Sequence, residues 1–372
     1  MTIAARDILD GIRTWVEIES HTADADGVNR VISVAAEGFA AAGARVTRVP
    51  GREGHGDHIT VTTPWDDGRP GVLVLCHLDT VHPKGTLASG LPFRVDGERA
   101  YGPGIYDMKG GAHLAYVALR EILRAGKPTP LPIRLLYTSD EEVGSPTSRA
   151  LIEAEAQRAK YVLVTEPARD GGKIVIARKG VGRYVLTTHG RPAHAGARHE
   201  EGRSAILEMA RQVIAVEAMT DYKRGLTVNV GEIRGGTAGN VVPQVCSANI
   251  DVRIKTIAEA EAIDRAFRSL TPFNPDVRLD MNGGLNRPPF EKNAGVATLF
   301  EHARRLASEQ DIDLIGVATG GGSDGNFTAH AVPTLDGLGV DGNGAHTLDE
   351  HLLISSLVPR MQLQKRLFET LR

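Results

Sequence analysis

The sequence predicts an α/β fold in which a mainly parallel-sheet domain is interrupted by an inserted two-layer α/β domain. Short β-branched runs alternate with amphipathic stretches through the first half of the chain, which is the pattern of βαβ units. From about Lys179 the strands alternate apolar with polar residues, as half-exposed antiparallel strands do. After the stretch NGGLNRPPF the first pattern returns. We therefore assign 1–178 and 287–372 to the first domain and 179–286 to the insert.

The elements of the first half follow from hydrophobic periodicity. Amphipathic stretches predict helices at Ala5–Ile18, Val28–Ala42, Lys109–Arg124 and Pro146–Gln157. Short apolar runs predict strands at Val72–Cys76, Ile133–Tyr137, Tyr161–Val164 and Ile174–Ala177. Gly43 directly follows the second helix and is a suitable C-terminal cap.

The same criteria apply to the insert and to the C-terminal part. In the insert they predict strands at Arg183–Thr188, Thr227–Ile233 and Val245–Lys255, with helices near Arg203–Met219 and Ala258–Leu270. The C-terminal part then contributes a helix at Ala294–Glu309, a strand near Val332–Leu335 and a helix at Leu352–Leu371.

Composition excludes several classes of partner. The 372 residues include 43 Lys and Arg against 46 Asp and Glu, a net charge of −3, so we expect no nucleic-acid partner. Charges interrupt the N-terminus every few residues and no long uncharged apolar stretch follows, so we expect a cytoplasmic protein with no membrane partner. Cys76 and Cys246 are too few for a disulfide framework and lie in stretches typical of buried strands.

His77 is the first candidate for chemistry. It follows a fully apolar strand in VLVLCHLDTVHP, and ligands of open α/β sheets bind at the carboxyl ends of strands. In an extended segment Asp79 points the same way, so its carboxylate can accept a hydrogen bond from the second imidazole nitrogen, as metal-bound histidines require. A surface pair with no ligand is the alternative interpretation.

Acidic residues recur in comparable places. Asp107 lies in the glycine-rich turn YGPGIYDMKGG before a helix, where N-capping is the alternative role. Glu142 belongs to the run Asp140, Glu141, Glu142 after one apolar strand, and Glu166 follows another in YVLVTEP. We expect four neighbouring sheet strands to direct His77, Asp107, Glu142 and Glu166 at one crevice. A solvated acidic loop is the alternative for the carboxylate run.

These carboxylates need a counter-charge, and no lysine or arginine cluster follows the strands. His346, in the polar loop GVDGNGAHTLDEHL, adds a second imidazole, unless it is an ordinary surface histidine. Two imidazoles with several carboxylates suit zinc, with cobalt and manganese as alternatives. The sequence therefore predicts a metal centre.

With these motifs the chain resembles the dinuclear zinc peptidases and deacylases, a family that includes glutamate carboxypeptidases, aminoacylases, acetylornithine deacetylase and succinyl-diaminopimelate desuccinylase. The resemblance is nearest to the glutamate carboxypeptidase branch. It extends over essentially the whole chain through HLDTV, GPGIYDMKGG, SDEEVGS, TEP, RPAHAG, GNVVP, DVR, RPPF, GGGSDGNF and AHTLDE, in that order.

The resemblance implies two zinc ions per chain that share Asp107. One ion is completed by His77 and Glu166, and the other by Glu142 and His346. It further implies Glu141 as the general base and Asp79 as the residue that orients His77.

The resemblance also implies a homodimer in which the insert serves as lid and dimerisation domain. It implies that the reaction is hydrolysis of an amide in which His194 stabilises the oxyanion, and that His194 and Asn240 of one chain reach the zinc site of the other. We expect the Arg183–Thr188 strand to be an edge that pairs across the two-fold axis. The alternative is that His194 serves its own chain after hinge closure.

The implied substrate is a small N-acyl amino acid or short peptide whose leaving amino acid has a free α-carboxylate. Arg253 in ANIDVRIK is the first candidate anchor for that carboxylate and Arg287 in LNRPPF is the second, and an ordinary surface arginine is the alternative for each. The loop TGGGSDGNF contributes the further candidates Gly321, Gly322 and Ser323, unless it is only a glycine-rich turn.

Three other functions are alternatives to a carboxypeptidase. The first is deacylation of an N-acyl amino acid such as N-acetylornithine. The second is a metal-dependent binding protein without turnover, which Glu141 disfavours because a binding protein needs no such carboxylate. The third, nucleotide binding through GGGSDGN, lacks a P-loop lysine. Cys76 and Tyr106 depart from the family pattern, which affects the shape of the pocket rather than the ligands.

Overall fold

The computed structural model describes residues 3–372. Its helices are α1 (Ala5–Val16), α2 (Ala25–Ala41), α3 (Thr86–Ser89), α4 (Gly110–Ala125), α5 (Arg149–Ala156), α6 (Ala205–Glu217), α7 (Ile257–Arg268), α8 (Ala294–Ser308) and α9 (Leu357–Thr370).

The strands are β1 (Arg45–Val49), β2 (His58–Thr62), β3 (Gly71–His77), β4 (Arg94–Asp96), β5 (Arg99–Tyr101), β6 (Ile133–Thr138), β7 (Ala159–Val164), β8 (Ile174–Arg178), β9 (Gly180–His189), β10 (Thr227–Gly235), β11 (Val245–Ile254), β12 (Arg278–Arg287), β13 (Gly316–Thr319), β14 (Thr334–Leu335), β15 (Gly342–Asn343) and β16 (His351–Leu353).

The chain forms two compact units. Within the described residues, the first comprises 3–177, 292–319 and 323–372, and the second comprises 178–291 together with 320–322. The predicted α/β class, with a mainly parallel central sheet, is confirmed by the strand order described next.

The first unit is organised around a six-stranded sheet with the order β1-β2-β6-β3-β7-β14. The strands β6, β3, β7 and β14 run parallel, whereas β1 and β2 are antiparallel additions at one edge. Every residue of β3 and β6 is buried, as expected of parallel strands covered on both faces. His77 pairs with Thr138 and Leu75 with Val164, so the carboxyl ends of three central strands lie at one edge of the sheet.

Two short sheets complete this unit. One has the order β15-β16-β5-β4, and the other pairs β13 with β8. The predicted strand at Ile174–Ala177 is therefore present as β8, but it pairs with β13 and lies outside the central sheet. The predicted C-terminal helix begins later, at Leu357, because His351–Leu353 pairs as β16 with β5 and β15.

The second unit is a four-stranded antiparallel sheet with the order β10-β11-β9-β12. Its apolar face packs with α6 and α7 around Leu186, Met209, Ile250 and Phe267. The expectation that Arg183–Thr188 forms a sheet edge is wrong, because β9 lies between β11 and β12. The edge strands are β10 and β12.

The sequence analysis predicts no strand in the stretch NGGLNRPPF, but its first residues continue β12. Gly283 has φ +96°, and a Cβ at that position would lie 2.2 Å from the carbonyl oxygen of Arg183 on β9. Glycine is needed here for a close approach between paired strands.

No helix within residues 3–372 is long and apolar enough to cross a membrane. The cytoplasmic location stays a prediction.

His113 on α4 is the basis of a stability prediction. Its ring packs 4.8 Å from that of Trp15 and 5.3 Å from that of Tyr116, centroid to centroid. Burial lowers the pKa of His113 to about 3. In the unfolded chain this histidine has an ordinary pKa near 6.5. Between about pH 6.5 and pH 3 the unfolded chain therefore binds up to one more proton than the native chain.

We expect His113 to reduce the free energy of unfolding as the pH falls from about 6.5 towards 3. The slope approaches about 1.4 kcal/mol per pH unit where the histidine is protonated in the unfolded chain and neutral in the native chain. His113→Leu removes this contribution, so its melting temperature should fall less steeply between pH 7 and pH 5 in scanning calorimetry. The exposed His199 provides the control, since His199→Leu should follow the wild-type profile. Parallel curves for His113→Leu and wild type would contradict the assignment.

Candidate metal centre

Two groups of side chains meet at Asp107. In the first, His77 Nε2 lies 3.5 Å from Asp107 Oδ1 and 3.7 Å from Glu166 Oε1. In the second, His346 Nε2 lies 3.3 Å from Asp107 Oδ2 and 3.2 Å from Glu142 Oε2. Within each group the potential ligand atoms all lie within 4.8 Å of one another. The two oxygens of Asp107 thus face two different imidazoles.

Three of these residues come from the carboxyl edge of the central sheet. His77 is the last residue of β3, Glu166 follows β7, and Glu142 lies in the 3₁₀ turn Glu141–Val143 after β6. Because the parallel register aligns the ends of these neighbouring strands, the three side chains lie at the same edge of the sheet.

Asp107 reaches the group by a different route. It belongs to the turn Ile105–Lys109, which connects β5 to α4, and β5 is part of the smaller sheet. The expectation that four neighbouring strands of one sheet supply the residues is therefore wrong for Asp107. The N-capping alternative does not hold either, because Asp107 is inside this turn and no side chain caps α4.

His346 lies in the loop between β15 and β16 with φ +65°, a left-handed conformation uncommon for a non-glycine residue. Its side chain is 53% exposed, whereas the other members of the two groups are largely shielded from solvent. One side of the second group is thus open to solvent.

Asp79 lies next to His77, on the side of the imidazole that carries Nδ1. Its carboxylate accepts hydrogen bonds from Thr22 Oγ1 at 2.7 Å and from the backbone N–H groups of Glu141 and Glu142 at 3.2 Å each. His77 Nδ1 lies 3.0 Å from the Asp79 carbonyl oxygen and 3.4 Å from its carboxylate. If Nδ1 carries the proton, Nε2 is left as an acceptor towards the site.

The three consecutive carboxylates have different surroundings. Asp140 is buried and accepts hydrogen bonds from the backbone and hydroxyl groups of Thr147 and Ser148 at 2.5–3.2 Å. It therefore stabilises the chain before α5. Glu142 joins the second group, and the negative charge of the adjacent Glu141 contributes to raising the pKa of His77.

The electrostatics of the two groups reflect concentrated negative charge. Hydrogen bonds to Asp107 and Glu142 raise the pKa of His346 to about 10. Burial opposes protonation of His77, yet Asp107 and Asp79 raise its pKa well above the ordinary value. Burial and nearby carboxylates raise the pKa of Glu142 despite a hydrogen bond with His346. The concentrated carboxylates therefore favour positive charge in both groups of side chains.

Two buried atoms test whether a cation fits. His77 Nε2 and Glu142 Oε1 are inaccessible to solvent and have no hydrogen-bond partner among residues 3–372. Leaving such atoms without a partner costs about 1–3 kcal/mol each. One nitrogen and several carboxylate oxygens in each group match the donor set of zinc, cobalt or manganese, so the residues fit metal ions.

In the second unit, His194 and Asn240 lie side by side. The backbone N–H of Ala195 donates to the Asn240 carbonyl at 3.0 Å, and both residues are exposed. His194 Nδ1 accepts the N–H groups of Gly196 and Ala197 at 3.2 and 3.1 Å. A neutral imidazole that accepts at Nδ1 carries its proton on Nε2, which can then donate.

The two candidate arginines differ in environment. Arg253 lies on the polar side of β11 and donates to both carboxylate oxygens of Asp251 at 2.7 and 3.1 Å. Arg287 is buried, so the surface-arginine alternative is wrong for it. A Cβ on Gly322 would lie only 2.8 Å from Arg287 Cδ, which shows how closely the glycine-rich loop packs against this arginine.

The glycine-rich loop has structural bonds of its own. Arg178 Nη1 donates to the carbonyl oxygens of Gly321 and Gly322 at 3.2 and 3.4 Å. Ser323 donates its hydroxyl to Asp336 at 2.5 Å, and its N–H donates to Asn326 Oδ1 at 2.8 Å. The Ser323 hydroxyl and N–H are therefore already used within the first unit.

The two departures from the family pattern are both buried. Cys76 accepts a hydrogen bond from Thr165 Oγ1 at 3.0 Å, and burial raises the pKa of its thiol to about 12, so it remains protonated. Tyr106 donates its hydroxyl to the Ala168 carbonyl at 2.5 Å. Tyr106 also lines a cleft of about 510 Å³ together with Arg169 and the His346 loop.

Four residues next to the site were not predicted from the sequence. Thr22, His82, Lys109 and Glu350 are all buried. Lys109 Nζ donates to the Ile18 carbonyl at 2.7 Å, and burial lowers its pKa to about 7 against the opposing charges of Glu350, Glu19 and Asp79. Lys109 lies in DMKGG and Glu350 in AHTLDE, so the motifs contained a signal for both.

The chain is similar in sequence to known peptidases and deacylases. Residues 73–370 match the profile of Peptidase family M20/M25/M40. The chain is 32% identical to carboxypeptidase G2 of Pseudomonas sp. (strain RS-16), with 97% of this chain and 88% of that protein covered. It is 29% identical to succinyl-diaminopimelate desuccinylase of Verminephrobacter eiseniae (strain EF01-2), with coverage of 76% and 73%.

Solved structures show the same fold. Aminopeptidase PepT from Bacillus cereus ATCC 10987 superposes with a TM-score of 0.78 at 24% identity, covering 99% of both chains. An M20 family metallo-carboxypeptidase from Sulfolobus solfataricus superposes with a TM-score of 0.75 at 16% identity, covering 97% of this chain and 98% of that one.

Proposed function

Because the chain belongs to Peptidase family M20/M25/M40, we propose that it is a metal-dependent hydrolase that cleaves an amide bond and releases an amino acid with a free α-carboxylate. The observation that carries this proposal is the pair of ligand groups that share Asp107. The resemblance inferred from the motifs is confirmed at the level of the family.

We propose His77, Asp107 and Glu166 as ligands of one metal ion, and Asp107, Glu142 and His346 as ligands of the other. Zinc is the metal best suited to this donor set, with cobalt or manganese as alternatives. The partnerless Nε2 of His77 and Oε1 of Glu142 support this assignment. When bound, such ions lower the pKa of a water molecule and polarise the substrate carbonyl.

The surrounding residues supply the proton transfers and the orientation. Glu141 takes the proton of the attacking water and returns it to the leaving nitrogen, a contribution of typically about 10²–10⁴ in rate. Asp79 fixes the orientation of His77. His194 donates its Nε2–H to the developing oxyanion, and its two hydrogen bonds at Nδ1 support this role because they favour the required tautomer.

The similarity to carboxypeptidase G2 supports release of a C-terminal amino acid. The desuccinylase relative supports the second candidate, removal of an acyl group from an N-acyl amino acid. Both reactions leave an amino acid with a carboxylate, so they share the need for a cationic anchor. A metal-dependent binding protein without turnover is disfavoured, because Glu141 is not among the proposed metal ligands and a binding protein would not need its carboxylate.

The first prediction separates the base from a metal ligand. Glu141→Ala should keep two zinc ions per chain while losing most of kcat, whereas Glu142→Ala should lose one ion. Elemental analysis and assays with dipeptides and N-acyl amino acids measure both quantities, and chelation should abolish wild-type hydrolysis. Equal metal loss in the two variants would show that the roles are misassigned, and full activity of metal-free enzyme would contradict the function itself.

The second prediction concerns Arg253. We propose that it exchanges its bond with Asp251 for a bond with the substrate carboxylate. Arg253→Ala should then raise KM sharply for substrates with a free α-carboxylate and have little effect on the corresponding amides. Arg278→Ala, on the edge strand β12, serves as the control. An equal response of acids and amides would transfer the anchoring role to another residue, with Arg287 and the Gly321–Gly322–Ser323 loop as the remaining candidates.

We further propose a homodimer formed through the second unit, with β10 in place of the strand expected from the sequence. The N–H groups of Val228 and Val230 on β10 are bonded to Thr220 and Glu217. The later part of this edge carries the exposed Ile233. The neighbouring α6 exposes Ile206, Leu207 and Ile214 by 41%, 56% and 73%, an apolar surface that a second copy can cover.

The third prediction tests whether His194 and Asn240 act on the other chain of this dimer. Glu141→Ala and His194→Ala chains, each inactive alone, should regain up to about a quarter of wild-type activity when refolded together, because random pairing gives half heterodimers with one intact site each. No gain, with heterodimers present by native mass spectrometry, would mean that His194 acts within its own chain or outside catalysis.

A further inference from the structure

The buried carboxylate of Glu350 lies beneath the turn that carries Asp107. Its Oε1 accepts the backbone N–H groups of Tyr106 and Asp107, each at 2.9 Å. Its Oε2 accepts the N–H of Gly104 at 3.1 Å and Nε2–H of His82 at 2.5 Å. Four donors therefore converge on one side chain.

The backbone of this turn is shaped to receive an anion. Gly104 adopts φ +71°, and the N–H groups of residues 104, 106 and 107 point into one concavity. Such concave arrangements of successive N–H groups bind anions. Here Glu350, more than 240 residues away in sequence, fills the concavity.

Glu350 also belongs to the segment that carries His346. It directly precedes β16, and its carbonyl oxygen accepts the Gly102 N–H at 3.4 Å, while His351 pairs with Tyr101 of β5. His346 lies four positions earlier in the same loop. Glu350 thus connects the backbone of Asp107 to the loop that carries His346.

We propose that Glu350, held by His82, is a positioning residue that sets the distance between Asp107 and His346 and thereby the metal affinity of the Asp107–Glu142–His346 group. The inference rests on the proposed function, because it takes this group to be a metal site. Glu350 itself touches neither ligand side chain; it acts through the backbone of Asp107 and through its own loop.

The alternative is that Glu350 only stabilises the fold. A buried carboxylate with four donors contributes to stability in either case, so a lower melting temperature alone does not distinguish the two roles. Metal affinity does, because residues that orient ligands typically change it by about 10- to 100-fold.

The test uses Glu350→Gln, which preserves size while placing an NH₂ group against the donors on one side. Zinc chloride is titrated into the metal-free 372-residue chain by calorimetry. The expected result is two zinc ions per wild-type chain and a loss of about 10- to 100-fold in affinity for one of them in the variant. The visible spectrum of the cobalt-substituted variant should also change, because the coordination geometry is altered.

Glu208→Gln is the matched control. Glu208 is a buried carboxylate of the second unit that accepts the N–H groups of Phe273 and Asn274 at 2.8 and 3.0 Å. We expect it to lower the melting temperature without changing either zinc affinity. His82→Leu removes a single donor from Glu350 and should weaken the same zinc ion by a smaller factor, which provides a reading if Glu350→Gln does not fold.

If a folded Glu350→Gln protein binds both zinc ions with wild-type affinity, the inference is overturned and the proposed function stays intact. If Glu350→Gln does not fold, wild-type affinities in His82→Leu lead to the same conclusion. Failure of the wild-type chain to bind two ions would instead contradict the proposed function.

Discussion

The structure depends on the burial of several carboxylates at one edge of a parallel sheet. Asp107, Glu142 and Glu166 lie within 4.8 Å of imidazole nitrogens and of one another in two overlapping groups. Taking such charges out of water costs several kcal/mol per ion unless compensating charge and hydrogen bonds are supplied. The surrounding backbone meets part of this cost by donating N–H groups to neighbouring buried carboxylates.

The buried acidic residues divide into two kinds. Asp79, Asp140 and Glu350 are stabilised by hydrogen bonds from backbone N–H groups and from neighbouring side chains. Asp107 and Glu142 instead face imidazoles, and one oxygen of Glu142 has no hydrogen-bond partner in the described chain. A carboxylate that the protein satisfies internally orients other groups, whereas one left without internal donors is available to a cation.

The sequence predicts the part of the site that follows directly from strands. His77, Glu142 and Glu166 come after apolar runs, and a parallel register aligns the ends of those strands, so periodicity and sheet geometry were sufficient. The sequence also predicts Asp107 at this crevice, but not its route through a turn outside the central sheet, because periodicity does not show which sheet a strand joins. The contribution of Glu350 depends on contacts across more than 240 residues, which no local pattern encodes.

The errors in the fold have a similar origin. β1 was not predicted because Arg45–Val49 carries charged residues and is mostly exposed, so apolar alternation is weak. β12 was not predicted because glycine lowers strand propensity, although Gly283 is required for close pairing with β9. Arg183–Thr188 has the alternation of any half-exposed strand, and alternation does not distinguish an edge from an interior position. Strand order is decided by packing between segments that are distant in sequence.

The distribution of residues between the two units separates two properties of the proposed enzyme. Every proposed metal ligand belongs to the first unit, as do Asp79 and Glu350. Arg253, His194 and Asn240 belong to the second. The proposed metal ligands therefore lie within one unit and the proposed substrate-binding residues within the other, so substitutions in the second unit leave the ligand set unchanged. In the proposed enzyme, a change of specificity for the leaving amino acid therefore requires no change in the carboxylate cluster, because the backbone that supports the cluster answers to a separate constraint, the cost of burying charge.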